Sequence, residues 1–189
     1  MTAQSHQITA HDAKSAAIAR AKRLAPDLAA RIGSTPATSF RGNPDIFGRL
    51  VADHDEHRAL LAMIEETSGD SPDRRRLFGK MINEMQAHAA AEEQALWSVV
   101  LRNPDTTEDA RHAVAEHKQI DELIEELQEA DMASPGWLPR FAKLKDKYLH
   151  HIREEEQEQF VAAEKHLSDA DVAHLRSVFN RRKKAEKAT

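Results

Sequence analysis

Two histidines, His54 and His117, are each followed 34 residues later by a histidine that opens an HxxxE: His88 with Glu92, and His151 with Glu155. Sliding the chain by 63 positions lays Leu50 to Glu66 over Ala113 to Glu129, and Met81 to Val100 over Leu144 to Ala163, without a gap. Val51, Ala52, His54, Leu60 and Glu66 return identically in the first window, and the HxxxEEQ of His88 to Gln94 returns at His151 to Gln157. A repeat that keeps imidazoles and carboxylates while its surface drifts points to a two-fold-like metal site in a core. Mixed nitrogen and oxygen donors without sulfur suit iron, manganese or zinc, whereas calcium and magnesium take more oxygen.

Capping residues and prolines mark the elements that must position these groups. Asn43-Pro44-Asp45 predicts a first helix with Asn43 as cap and Pro44 in its first turn; it carries Phe47, Leu50, His54, His57, Leu61 and Ile64 and ends near Ser68-Gly69. Ser71-Pro72 starts a second helix with Met81, Met85, His88, Glu92, Ala95 and Val99 along its inward stripe. A third follows Asn103-Pro104 with Ala113, His117, Ile120, Ile124 and Leu127, and a fourth follows Ser134-Pro135-Gly136 with Phe141, Leu144, Tyr148, His151 and Glu155. Ser168 caps a fifth, carrying Val172, Leu175 and Phe179 and closing on Arg181-Arg182-Lys183-Lys184, which reads as a solvated helix terminus.

Ser71 lies 17 residues after His54 and 17 before His88, and Ser134 stands likewise between His117 and His151. In antiparallel hairpins rising ~1.5 Å per residue, each pair of histidines is therefore level, about 25 Å from its own turn. Glu92 and Glu155 sit one turn beyond His88 and His151 on the same faces. Packing two such hairpins up-down-up-down converges four imidazoles and two carboxylates on stripes otherwise made of Leu, Ile, Met, Phe and Val. Buried carboxylates cost several kcal/mol each without a partner. Two bridged metals in the core of a bundle resolve that cost.

The pattern of His54, His88 with Glu92, His117, and His151 with Glu155 resembles the hemerythrin-like HHE cation-binding domain over roughly Pro44 to Lys165. That resemblance implies a four-helix bundle with a non-haem di-iron centre. His54, His88, Glu92, His117, His151 and Glu155 are then the ligands, both glutamates bridge, and an oxo, hydroxo or water ligand lies between the irons. Zinc or manganese could replace iron in a recombinant preparation. Oxygen-carrying hemerythrins have a second histidine one turn after the first in the third helix, where this chain has Asp121. The departure argues against reversible oxygen carriage. His57, one turn after His54, and Tyr148, one turn before His151, are candidates for outer groups acting on the site, with a ligand role for His57 and a plain core role for Tyr148 as alternatives. The family's iron-sulfur-repair members carry a cysteine-bearing extension that has no counterpart here.

The 189 residues, 31% of them charged, with 6 Gly, 7 Pro and no Cys, fit an all-α chain. We expect an N-terminal extension over 1–43, partly helical around Ile18, Leu24, Leu28 and Ile32. The bundle then spans 44–166, and a C-terminal helix with a basic tail spans 167–189. No apolar run or leader marks a membrane or secreted protein, and the absence of cysteine fits the cytoplasm. A net charge of -5 gives no case for nucleic acid. Terminal helices offer a homodimer. His6, His11, His112, His150, His166 and His174 read as surface residues. The leading expectation is a protein that binds or reacts with O2, peroxide or NO in the response to oxygen and oxidative stress. A peroxide-decomposing or ferroxidase-type enzyme and an iron sensor or storage module stand as rivals.

Overall fold

The computed structural model describes residues 38–188, which hold helices and no strand. Helix α1 (Ile46–Glu65) pairs with α2 (Pro72–Glu92), which runs through a π-helical turn (Glu93–Trp97) into α3 (Ser98–Val100). A second hairpin repeats this with α4 (Thr107–Glu129) and α5 (Trp137–Glu154), which passes through a π-turn (Glu155–Gln159) into α6 (Phe160–Glu164). The four rods form the expected up-down-up-down bundle, and a fifth, α7 (Asp169–Glu186), lies along α1 and α2.

Local chemistry sets most boundaries. Ser71 Oγ accepts from Arg74 N (3.2 Å) with Pro72 in the first turn of α2, and Ser168 and Asp171 close a reciprocal capping box on α7. At α1 the cap moves: Asp45 Oδ1 accepts from Gly48 N (2.8 Å), so Asn43 and Pro44 precede the helix. The chain folds back so closely that a Cβ at Gly48 would stand 2.2 Å from the Asn43 carbonyl oxygen, which only glycine permits. At the opposite end Arg74 ties both hairpin turns together, bonding Thr67 O (2.6 Å) and Met132 O (3.3 Å) while lying over Trp137.

Along every rod the buried apolar residues fall into two groups with polar residues between. Phe47, Leu50, Ala95, Trp97, Ala113, Phe160 and Phe179 pack at one end. Leu61, Ile64, Met81, Met85, Ile120, Ile124, Phe141 and Leu144 pack at the turn end. The intervening layer holds His54, His57, His88, Glu92, His117, His151 and Glu155, all buried.

Each π-turn adds a residue to the helix at or just past the glutamate of an HxxxE, which shifts the stripe beyond it. Val99, expected on the inward stripe, is consequently 39% exposed, while Leu96, Trp97 and Val100 fill the core. The basic terminus departs from expectation too: Lys183 is buried against Asp53 and Glu84. None of the described helices is long and apolar enough to cross a membrane. His6, His11 and the stripe around Ile18 lie outside the described residues.

Candidate metal centre

The two hairpins interlock through their glutamates. Glu155 directs Oε2 toward His54 Nε2 (3.4 Å) and Oε1 toward His151 Nε2 (3.3 Å). Glu92 Oε2 stands 3.6 Å from His88 Nε2 and 3.5 Å from His117 Nε2. Each carboxylate thus lies between an imidazole of its own hairpin and one of the other, as the 63-residue repeat requires.

The outer nitrogens are held with the same symmetry. His88 Nδ1–H donates to Asp53 Oδ2 (3.2 Å) and His151 Nδ1–H to Glu116 Oε2 (2.9 Å), each carboxylate coming from its own hairpin. His54 Nδ1–H donates to Glu156 Oε1 (2.9 Å) and His117 Nδ1–H to Glu93 Oε1 (2.9 Å), each from the opposite hairpin. An imidazole that gives its Nδ1 proton to a carboxylate presents a basic Nε2, the arrangement that orients metal-binding histidines. These four acids were not singled out from the sequence, although the repeat contained them. Asp53 and Glu116 precede the first histidine of each half, and Glu93 and Glu156 follow each bridging glutamate.

With their Nδ1 protons so placed, His54 and His88 aim Nε2 lone pairs at each other across 3.2 Å. Two donors on one metal at ~2.1 Å stand roughly 3 to 3.5 Å apart, so this contact and the carboxylate contacts have the span of ligand pairs. Both oxygens of Glu92 and of Glu155, together with His117 Nε2, are buried without a hydrogen-bond partner. Burial opposes ionisation of Glu92, yet His117 and His88 hold its carboxyl well below the usual range. Burial and the neighbouring Glu92 push Glu155 far up instead, so the pair retains a proton that a cation would displace. The donor set therefore fits a bound cation. One compact triplet, His117, His151 and Glu155, already has its ligand atoms within 4.8 Å of one another.

His57 lies in the same layer, its ring 5.3 Å from that of His88. Its Nδ1 is bonded to Tyr148 OH, and its Nε2 is buried without a partner. Burial drives the Tyr148 phenol upward and keeps its proton, and burial holds His57 neutral; with the phenol donating to Nδ1, the imidazole proton sits on His57 Nε2. Asp121 points away from the layer and accepts from Gln86 Nε2 (3.2 Å). His112, His150, His166 and His174 are exposed or partly so. His112 approaches Glu154 (3.2 Å) and Glu116 (3.6 Å), the acid that holds His151.

Bundle and donor set define a hemerythrin-like cation-binding protein. The hemerythrin HHE cation binding domain matches residues 45–163, and the chain belongs to that family. It is similar to the hemerythrin HHE cation binding domain-containing protein of Mycobacterium kansasii, with a TM-score of 0.67 at 20% identity, covering 80% of this chain and 88% of that one. A DNA nickase of Nostoc is 24% identical over 86% of this chain and 46% of its own length. An uncharacterised hemerythrin-like protein of Schizosaccharomyces pombe is 26% identical over 68% of this chain and 66% of its own. The chain thus spans about half to two thirds of the length of these two relatives.

Proposed function

We propose that the chain is a non-haem di-iron protein for which O2, peroxide or NO is a reactant. His54 and His88 would hold one iron and His117 and His151 the other, with Glu92 and Glu155 supplying the carboxylates between them. The observation that carries this reading is the 3.2 Å approach of the His54 and His88 Nε2 atoms with both Nδ1 protons committed to carboxylates. Iron in these positions would supply open coordination sites and electrons to a small ligand.

The surrounding residues do the rest. Four carboxylates fix the imidazole tautomers, and two apolar clusters exclude bulk water from the layer between them. His57 Nε2–H, backed by the Tyr148 phenol, holds a proton beside His88, placed to donate to a ligand bound there. Asp121 faces Gln86, so α4 contributes one imidazole to the layer where an oxygen carrier's third helix contributes two. Four imidazoles and two carboxylates shared by two irons would leave room for exogenous ligands, which favours reaction over reversible carriage and supports a peroxide-decomposing activity.

Cycling the ferrous protein between oxygen and vacuum under a visible spectrum, then adding hydrogen peroxide and recording oxygen release, tests this. The expected result is irreversible oxidation in air and peroxide consumption faster than free iron gives. Repeated recovery of the ferrous protein, with no peroxide consumption above a metal-free variant, would contradict it.

A further inference from the structure

Helix α7 lies beyond the stretch that matches the family, yet it reaches the centre. Phe179 packs edge-on against the His88 ring at 5.5 Å, and one turn later Lys183 places Nζ 2.6 Å from Asp53 Oδ2. This is the same oxygen that accepts the His88 Nδ1 proton at 3.2 Å. Glu84 Oε2 holds the ammonium from its other side at 3.1 Å, and the Lys183 side chain is only 6% exposed.

Around the four outer carboxylates, the repeat's symmetry breaks in its cations. On the His54 and His88 side, Arg58 Nη2 bonds the Glu156 oxygen that holds His54 (2.8 Å), Lys183 bonds the Asp53 oxygen that holds His88, and Arg49 Nη1 takes the other Asp53 oxygen (2.5 Å). On the His117 and His151 side, Lys147 Nζ bonds Glu116 Oε1 (2.6 Å), whereas His151 uses Oε2. The exposed His112 lies 3.6 Å from that Oε2. Glu93, 40% exposed, pairs with His117 and with no lysine or arginine among the described residues. On one side two buried cations, Arg58 and Lys183, and the partly buried Arg49 reach the two carboxylates, with Asp55 and Glu84 sharing Arg58 and Lys183; on the other, a single partly buried lysine reaches one of the two.

A carboxylate on Nδ1–H strengthens the opposite nitrogen as a metal donor, and a cation on that carboxylate draws the effect back. We infer that the two metal positions are electronically unequal and that Lys183 is a positioning residue setting the difference through Asp53. The His54–His88 position meets weaker donors and favours ferrous iron, and the His117–His151 position favours ferric iron. This rests on the di-iron reading above.

The test uses the full chain loaded with iron-57, its iron content measured first, and then reduced stepwise with dithionite while low-temperature Mössbauer spectra in an applied field separate half-integer-spin mixed-valence pairs from the integer-spin diferric and diferrous pairs. The half-reduced wild type is expected to hold mainly one ferrous and one ferric ion per chain. Lys183→Met should lower the equilibrium constant for that mixed state about tenfold or more, the scale of losing an outer partner, with unchanged iron content. Lys183→Arg should restore it. Arg49→Met removes a cation from the same carboxylate and should shift the constant the same way; it decides the matter if Lys183→Met fails to fold. A half-reduced wild type with no more mixed-valence chains than a statistical distribution gives, or fully loaded variants with an unaltered constant, overturns the inference alone. A wild type that takes up no iron pair overturns the di-iron reading and this inference with it.

Discussion

Glu155 belongs to the second hairpin, yet its Oε2 stands 3.4 Å from His54 Nε2 of the first while its Oε1 stands 3.3 Å from His151 Nε2. A carboxylate in that position joins the two halves of the repeat, and neither of its oxygens has a hydrogen-bond partner. Glu155→Ala should therefore weaken metal binding by more than the ~10- to 100-fold that loss of an outer partner costs. Glu155→Gln preserves the shape and removes the charge, and should fall between. Competition with a chelator of known affinity measures both; wild-type affinity in Glu155→Ala would remove it from the ligand set.

Stability should depend on metal. Without metal the layer would keep unpartnered carboxylates and a lone-pair contact in the core, whereas metal at 1,000 times its dissociation constant stabilises the folded chain by about 4 kcal/mol. Stripping iron with a chelator is expected to lower the melting temperature by several degrees. An unchanged melting curve would mean that the layer is satisfied without an ion.

Metal uptake should also depend on pH through His117. Burial alone would lower this imidazole, but Glu92 and Glu93 lift it from 6.5 to about 9. Its folded value exceeds its unfolded one, so in the metal-free chain its charge stabilises the fold fully below pH 6.5, and that contribution is lost as pH rises through about 9. A metal must displace the same proton, together with the one that Glu92 and Glu155 retain, so apparent affinity should climb across this window. His151, which burial holds down at about 4 against the pull of Glu116, does not compete there. Titrations from pH 6 to 9.5 on wild type and Glu93→Gln check this: the variant should show a shallower slope, and equal slopes would exclude His117 as the source.

His57→Ala should retain most of the iron and alter the visible spectrum or small-ligand binding, because His57 holds a proton beside the site and its Nδ1 is taken by Tyr148. His54→Ala should lose iron, since its Nε2 faces both His88 and Glu155. Comparable iron loss in the two variants would make His57 a ligand.

The bundle was legible because the repeat and its prolines speak locally. Ser71 and Ser134 fix the hairpin turns, and the inward stripes follow helical spacing. The π-turns were not legible: Glu93 to Trp97 carries no breaker residue, and the added residue is imposed by packing around the layer, which turned Val99 outward. The cap at Asp45 was misplaced because Asn43 and Pro44 carry an equally good local signal, and the close approach at Gly48 decides between them. Lys183 was hidden for a different reason. A run of four basic residues at a helix end reads as solvated, and only the tertiary placement of α7 shows that the third of them meets Asp53. The four acids on Nδ1 were recoverable in principle from the repeat, but nothing local distinguishes Glu93 or Glu156 from the other acids of these helices.

The central claim is a bridged pair of irons held between the hairpins, and metal analysis of the full chain after anaerobic iron reconstitution and desalting tests it most directly. About two irons per folded chain are expected, with much of the metal lost in His88→Ala and in His151→Ala. One iron or none in the wild type, under conditions that load a control di-iron protein fully, would contradict it.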